Sequence, residues 1–190
     1  MSELLQSIGG AGGNTGFDLF MWFITEIGDI SYLLIFGIAL LVIRKTRRVG
    51  ITLMVCLVLV TLATGYLKCG IDRDVPSLEF LGAMTPFPDS EDTFALFCQG
   101  GLNSSFPSGH AGRTAVFGII LGFALASRFP RGCYLLLLYP ILVSFSRVYL
   151  LEHFPMDVIG GSILGILIAG AIGHKSKLYK IFEPSKSKIL

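Results

Sequence analysis

Five long apolar stretches dominate the chain: Phe17 to Ile43, Gly50 to Leu67, Ser108 to Ser127, Cys133 to Leu151 and Met156 to Gly173. A helix rises about 1.5 Å per residue and a bilayer core is about 30 Å thick, so each stretch is long enough to cross a membrane if helical. Inside lipid the backbone must satisfy its own hydrogen bonds, and apolar runs of this length do so as helices. Composition agrees, because 53% hydrophobic against 15% charged residues is far outside the balance of a soluble domain. The expectation is an all-α, polytopic transmembrane bundle of about five spans, with six as the alternative. It forms a single domain over residues 1–190, with no room for a separate soluble one.

The first stretch is the least regular. Glu26, Gly28 and Asp29 interrupt it, so it reads either as one long tilted helix or as an interfacial helix followed by a short span. The later stretches start at clear punctuation, Pro107, the Phe129 to Gly132 turn and Pro155, each suited to a helix start or the turn before it. The opening fifteen residues lack a basic segment and an unbroken apolar core, so they do not resemble a signal peptide and are expected to be retained.

Charge position gives the topology. Arg44, Lys45, Arg47 and Arg48 follow the first stretch, Arg128 and Arg131 lie between the third and fourth, and Lys175, Lys177, Lys180, Lys186 and Lys188 follow the fifth. In an alternating five-span arrangement these fall on one side, which the positive-inside rule makes cytoplasmic. The N-terminus and the long connection over residues 69–106 are then extracytoplasmic, and that connection is too long to be a mere link. Four cations remain: Lys68, Arg73 and Arg147 at outer span ends, and Arg113 about one turn inside the third span. Taken singly, each reads as a snorkelling or ion-paired side chain beside the acidic outer loop. Four on one side together with two histidines require a common reason.

His110 follows Pro107-Ser108-Gly109 at the start of the third span. A helix N-terminus presents unpaired N–H groups and positive dipole, so Ser108, Gly109 and His110 form a natural phosphate cradle, although Pro-Ser-Gly alone is simply a helix-start signal. His153 lies in a run from Ser146-Arg147 through Glu152 to Pro155 and Asp157. With Pro155 in the first turn of a helix, Asp157 can reach back to one ring nitrogen of His153 and leave the other free to act as a nucleophile. Arg147 offers a planar fork suited to phosphate oxygens.

These two runs, Pro107-Ser108-Gly109-His110 and then Ser146-Arg147, His153 and Asp157, resemble the second and third signatures of the type 2 phosphatidic acid phosphatase superfamily, which also contains vanadium haloperoxidases and acid phosphatases. The first signature of that family is a Lys, six residues, then Arg-Pro. Here Lys68 is followed at that distance by Val75-Pro76, so the expected arginine is absent. Arg73, two residues earlier, is the first candidate to replace it on phosphate. Arg113, three residues after His110, is an auxiliary candidate and is otherwise expected to pair with Glu26 or Asp29.

The resemblance implies phosphoryl transfer with His153 as nucleophile, Asp157 as its orienting carboxylate and His110 as acid and then base. It implies phosphate binding by Lys68, Arg147, Ser108 and Gly109. No metal ligand spacing is present, so neither metal nor cofactor is expected, and activity should survive chelation. The expected substrate is a membrane lipid phosphate reached from the bilayer at the extracytoplasmic face, in the inner membrane of a bacterial envelope. Undecaprenyl diphosphate, phosphatidylglycerophosphate and lipid A phosphates are typical of the family. A lipid phosphotransferase and a non-enzymatic lipid-phosphate binder are the alternatives. No nucleic-acid partner is expected, and no oligomeric state is read from the residues. Cys69 and Cys98 bracket the outer connection and are candidates for a disulfide. The glycosylation-like Asn103-Ser104-Ser105 is discounted because such matches are common by chance.

Overall fold

The computed structural model describes residues 15–71, 73–76 and 104–181. Six α-helices account for most of these: α1 Thr15–Glu26, α2 Ile30–Val42, α3 Arg47–Ile71, α4 Gly109–Leu125, α5 Leu138–Tyr149 and α6 Pro155–Lys175. Short 3₁₀ helices precede α5 (Gly132–Leu137) and follow α6 (Leu178–Lys180). The fold is the all-helical membrane bundle expected. Three segments, Arg47–Ile71, Gly132–Tyr149 and Pro155–Lys175, are long and apolar enough to cross a bilayer, and the bent pair α1–α2 counts as a fourth when the two are taken together as one span. At 17 residues α4 is shorter, yet it is the helix around which the others pack.

The irregular first stretch is two helices bent by 47°. The break has identifiable causes. Asp29 caps α2 by accepting from the Ser31 amide at 2.8 Å, a short-range bond that ends one helix by starting the next. Gly28 lies so close to Val143 that a Cβ would come within 2.6 Å of its side chain. Within the bundle, α1 lies along the length of α5. Near its start the carboxylate of Asp18 accepts from the Tyr149 hydroxyl at 2.7 Å, and just past its end the carbonyl of Ile27 accepts from the Tyr139 hydroxyl at 2.7 Å.

The fourth apolar stretch is likewise not one continuous α-helix. Its first part is 3₁₀, and α-helix begins at Leu138. Pro140 supplies the reason, because it lacks an N–H and its ring would clash with the carbonyl four residues earlier.

Below the polar end, Leu53, Leu57 and Val60 of α3 pack with Val116 and Ile120 of α4 in a fully buried apolar cluster. Large apolar side chains such as Phe23, Ile35, Val55, Ile141, Ile163 and Leu167 point outward, as expected of a surface that meets lipid. The closest helix pair is α4 with α6. A Cβ on Gly161 would fall onto the Ser108 carbonyl oxygen, and one on Gly165 onto that of Gly112. Small residues let these backbones touch, as is common between helices in membranes. Ser108 meets Gly161, Gly112 meets Gly165, and Phe123 meets Gly173, so the two helices run parallel. Both N-termini therefore open at the same end of the bundle.

Candidate active site

The paired N-termini of α4 and α6 bring the sequence runs together. Ser108, the N-cap of α4, is fully buried, and its amide donates to the main-chain carbonyl of Asp157 at 3.0 Å. That bond joins the two signatures. The Ser108 hydroxyl accepts from the Ala111 amide at 3.4 Å, a long cap bond that a better acceptor could replace.

The spacing between Arg147 and His153 also has a local cause. As α5 ends, the amide of Leu151 donates to the carbonyl of Val148 at 3.1 Å, and that of Glu152 to the carbonyl of Arg147 at 3.1 Å. This is a Schellman ending, and its left-handed position is held by Leu151 with φ of 59° where glycine is usual. A side chain there costs about 1–2 kcal/mol, offset here by burial of Leu151 against Val148, Phe154 and Val158. The Arg147 carbonyl also accepts from the His153 amide at 3.2 Å. Arg147 and His153 are thus two parts of one closed turn.

Asp157 lies in the first turn of α6 and is fully buried. Its Oδ2 accepts from the Phe154 amide at 2.8 Å and lies 3.8 Å from His153 Nδ1. The reach back to His153 is therefore present at ion-pair distance, with the capping bond as the shorter contact. His153 itself is 2% exposed.

His110 is fully buried one residue inside α4. Its Nδ1 lies 3.4 Å from Arg113 Nη2. A guanidinium has only donors, so a hydrogen bond at this contact requires Nδ1 as its acceptor, with the proton of a neutral ring on Nε2. Arg113 folds back under the cradle, since a Cβ on Gly109 would come within 3.0 Å of its Nη1. The expected pairing of Arg113 with Glu26 or Asp29 is not found among the ion pairs of the described residues. The carboxylate of Asp29 serves as the cap of α2 instead, and Arg113 is directed to the start of its own helix.

Arg73 reaches the site from the far side. The carbonyl of Arg73 accepts from the Ser105 amide at 2.6 Å, and Asp74 pairs with Ser104 in an isolated antiparallel bridge. These contacts fasten the segment after α3 to the approach of α4. The Arg73 side chain then donates to Asp157 Oδ1 at 3.2 Å, with its guanidinium 4.1 Å from the centre of the Phe154 ring. Its partner is the carboxylate that also faces His153, while Val75 is half-buried nearby in sequence. Lys68 lies half-buried in the last turn of α3, at the same end of the bundle.

Two contributors were not singled out from sequence. Thr25 of α1 accepts from Arg147 Nη1 at 3.4 Å, and the Glu152 carboxylate pairs with Arg147 Nη2. Thr25 stands 122 positions from Arg147, and nothing local marks it. Glu152 was visible as an acid beside His153, but its partner was not. Cys69 is disulfide-bonded, whereas Cys56 and Cys133 are free thiols. Cys98 and Asn103 lie outside the described residues, as does most of the 69–106 connection.

A membrane bundle that buries two histidines, a carboxylate and arginines around paired helix N-termini has the makings of a phosphate-handling site. Comparison with known proteins agrees. The family model described as PAP2 superfamily matches residues 49–178, and the chain belongs to that superfamily. It is 32% identical over 131 residues to an undecaprenyl-diphosphatase of Sulfolobus acidocaldarius, a match covering 68% of this chain and 56% of that protein. The chain thus spans little more than half the length of that curated relative. Among solved structures it resembles a transmembrane PAP2-type phosphatidylglycerolphosphate phosphatase from Bacillus subtilis, with a TM-score of 0.70, 26% identity and coverage of 96% of this chain and 89% of that one. LpxE of Aquifex aeolicus shares the fold at a TM-score of 0.61 and 24% identity, covering 91% and 93% of the two chains.

Proposed function

We propose that this protein is a membrane lipid phosphatase that hydrolyses a lipid phosphate or diphosphate through a phosphohistidine at His153. The observation that carries the proposal is the bond between the Ser108 amide and the Asp157 carbonyl, which ties the phosphate cradle of α4 to the His–Asp turn of α6. The names of the relatives support a lipid phosphate as substrate, with undecaprenyl diphosphate and phosphatidylglycerophosphate the first to test.

In the first step an unprotonated nitrogen of His153 attacks phosphorus in line. An N–P bond forms while the bond to the leaving oxygen breaks, and Nε2–H of His110 gives that oxygen its proton. Lys68, Arg147, the Ser108 hydroxyl and the Gly109 amide hold the equatorial oxygens, where charge spread across the phosphoryl group is stabilised by fixed donors. In the second step His110 takes a proton from water, the oxygen attacks phosphorus, and phosphate leaves as His153 is restored. Asp157 orients His153, and Arg73 completes the positive rim from its seat on Asp157. These cations supply the charge stabilisation, so EDTA is expected to leave the rate unchanged. The distribution of basic residues supports an extracytoplasmic site, entered by lipid from the bilayer, and a reporter fused after Gly173 is expected on the cytoplasmic side.

One observation favours a second reading. Arg73 engages Asp157 and Val75 stands where the family has arginine, which suits a lipid-phosphate binder with a weakened reaction. Phosphate release from a panel of lipid phosphates decides between them. The phosphatase reading expects turnover in detergent without any added acceptor, whereas tight binding without release supports the binder. Release that requires an alcohol acceptor supports a phosphotransferase.

A further inference from the structure

Glu152 is a nearly buried acid that the reaction as described does not use. Its carboxylate pairs with Arg147 Nη2, with side-chain exposures of 11% for Glu152 and 6% for Arg147. A negative charge beside an anion site, one residue before the nucleophile, works against phosphate binding. The backbone that carries it is fixed there. The Glu152 amide is bonded to the Arg147 carbonyl, and Leu151 holds the turn in its left-handed conformation. The carboxylate is thereby kept within reach of the Arg147 guanidinium.

Arg147 is correspondingly divided. Nη1 faces Thr25 and Nη2 faces Glu152, while Nε is buried with no hydrogen-bond partner among the described residues. The guanidinium enters the reaction with part of its fork already occupied by a carboxylate, which has much the same donor requirements as a phosphate oxygen pair. What remains for a ligand is the Nε edge and any donor that Glu152 gives up.

We propose that Glu152 sets the strength with which the site holds a phosphate oxyanion, taking donors of Arg147 and opposing the charge of the anion so that product phosphate is released. The inference rests on the reading of Arg147 as a phosphate ligand and extends it to product release. It involves no new covalent step.

The test uses full-length protein in detergent micelles, with inorganic phosphate and orthovanadate as inhibitors of lipid phosphate hydrolysis. Glu152→Gln is expected to lower the inhibition constants of both anions about tenfold, to lower KM, and to lower kcat severalfold as release slows. Glu152→Ala removes the same charge with a smaller side chain and carries the same expectation if the glutamine variant does not fold. Unchanged inhibition constants would overturn the proposal. So would raised ones, which would make Glu152 only a brace for Arg147. Arg147→Gln, measured in parallel, separates the two layers. It is expected to raise both inhibition constants at least tenfold. If it does so while Glu152→Gln changes nothing, the role of Glu152 falls alone. If Arg147→Gln also changes nothing, the reading of Arg147 as a phosphate ligand falls with it.

Discussion

The two ends of α4 are held by different physics. Toward its C-terminus, Val116 and Ile120 pack with Leu53, Leu57 and Val60 in an apolar cluster where shape and volume decide the energy. At its N-terminus, His110 and Arg113 are just as buried, but what surrounds them is polar side chains and main chain from α6. A buried polar group is costly unless partnered, so this end depends on particular atoms at particular places. The lower half should tolerate conservative change at a cost in stability. The upper end should lose function to substitutions that leave the fold intact.

The sharpest way to test that division is His153→Ala, which is expected to reduce phosphate release by at least a thousandfold, on the order of losses seen when a nucleophile is removed. Its size-exclusion profile and helical circular dichroism should match wild type. Asp157→Asn should follow, with a loss of about a hundredfold or more, because the amide keeps the shape but no longer stabilises a positive His153 ring. Its measurement is kcat, since the effect belongs to the reacting complex. If either variant lost helix content in proportion to activity, the upper end would be structural in the same sense as the lower.

Gly161→Val tests the seam between the two regimes. A Cβ there meets the Ser108 carbonyl, so α6 must move away from α4 and the cradle must separate from the His–Asp turn. Loss of about a hundredfold in kcat/KM is expected, since small misplacement of reacting groups is enough for that, together with a lowered melting temperature. Leu57→Ala gives the complementary result. It should destabilise the fold by about 2–5 kcal/mol through the cavity left behind, read by denaturation in mild detergent, while kcat of the folded fraction stays within about twofold of wild type. Thr25→Val has the smallest effect. Removing one hydrogen bond to Arg147 is worth about 0.5–1.5 kcal/mol, which is a rise of about two- to tenfold in KM with little change in stability.

Much of the upper end was legible in the sequence because its parts are local. Ser108 to His110 form one helix start, and Arg147 to Asp157 form one helix end, one Schellman turn and one helix start. Residues that act through short-range geometry leave a readable spacing. The irregularity of the first stretch is legible for the same reason, since Glu26, Gly28 and Asp29 interrupt it. Contacts across the bundle leave no such trace. Thr25 on Arg147, Asp18 on Tyr149 and Arg73 on Asp157 join residues that only the fold brings together. The neighbours of Arg113 are likewise set by the fold, and the pairing expected with Glu26 or Asp29 is not among the ion pairs of the described residues. The start of its own helix proved nearer. The fourth span was read as continuous because hydropathy is blind to Pro140, whose missing donor divides it into 3₁₀ and α parts.

The most direct test of the central claim is to trap the covalent intermediate. Purified protein mixed with a lipid substrate carrying radiolabelled phosphate, then denatured within the first turnover, should hold label on a single peptide containing His153. The bond should be stable to alkali and labile to acid, and label should be absent from His153→Ala. Label on another residue, or equal labelling and equal phosphate release by His153→Ala, would contradict the account.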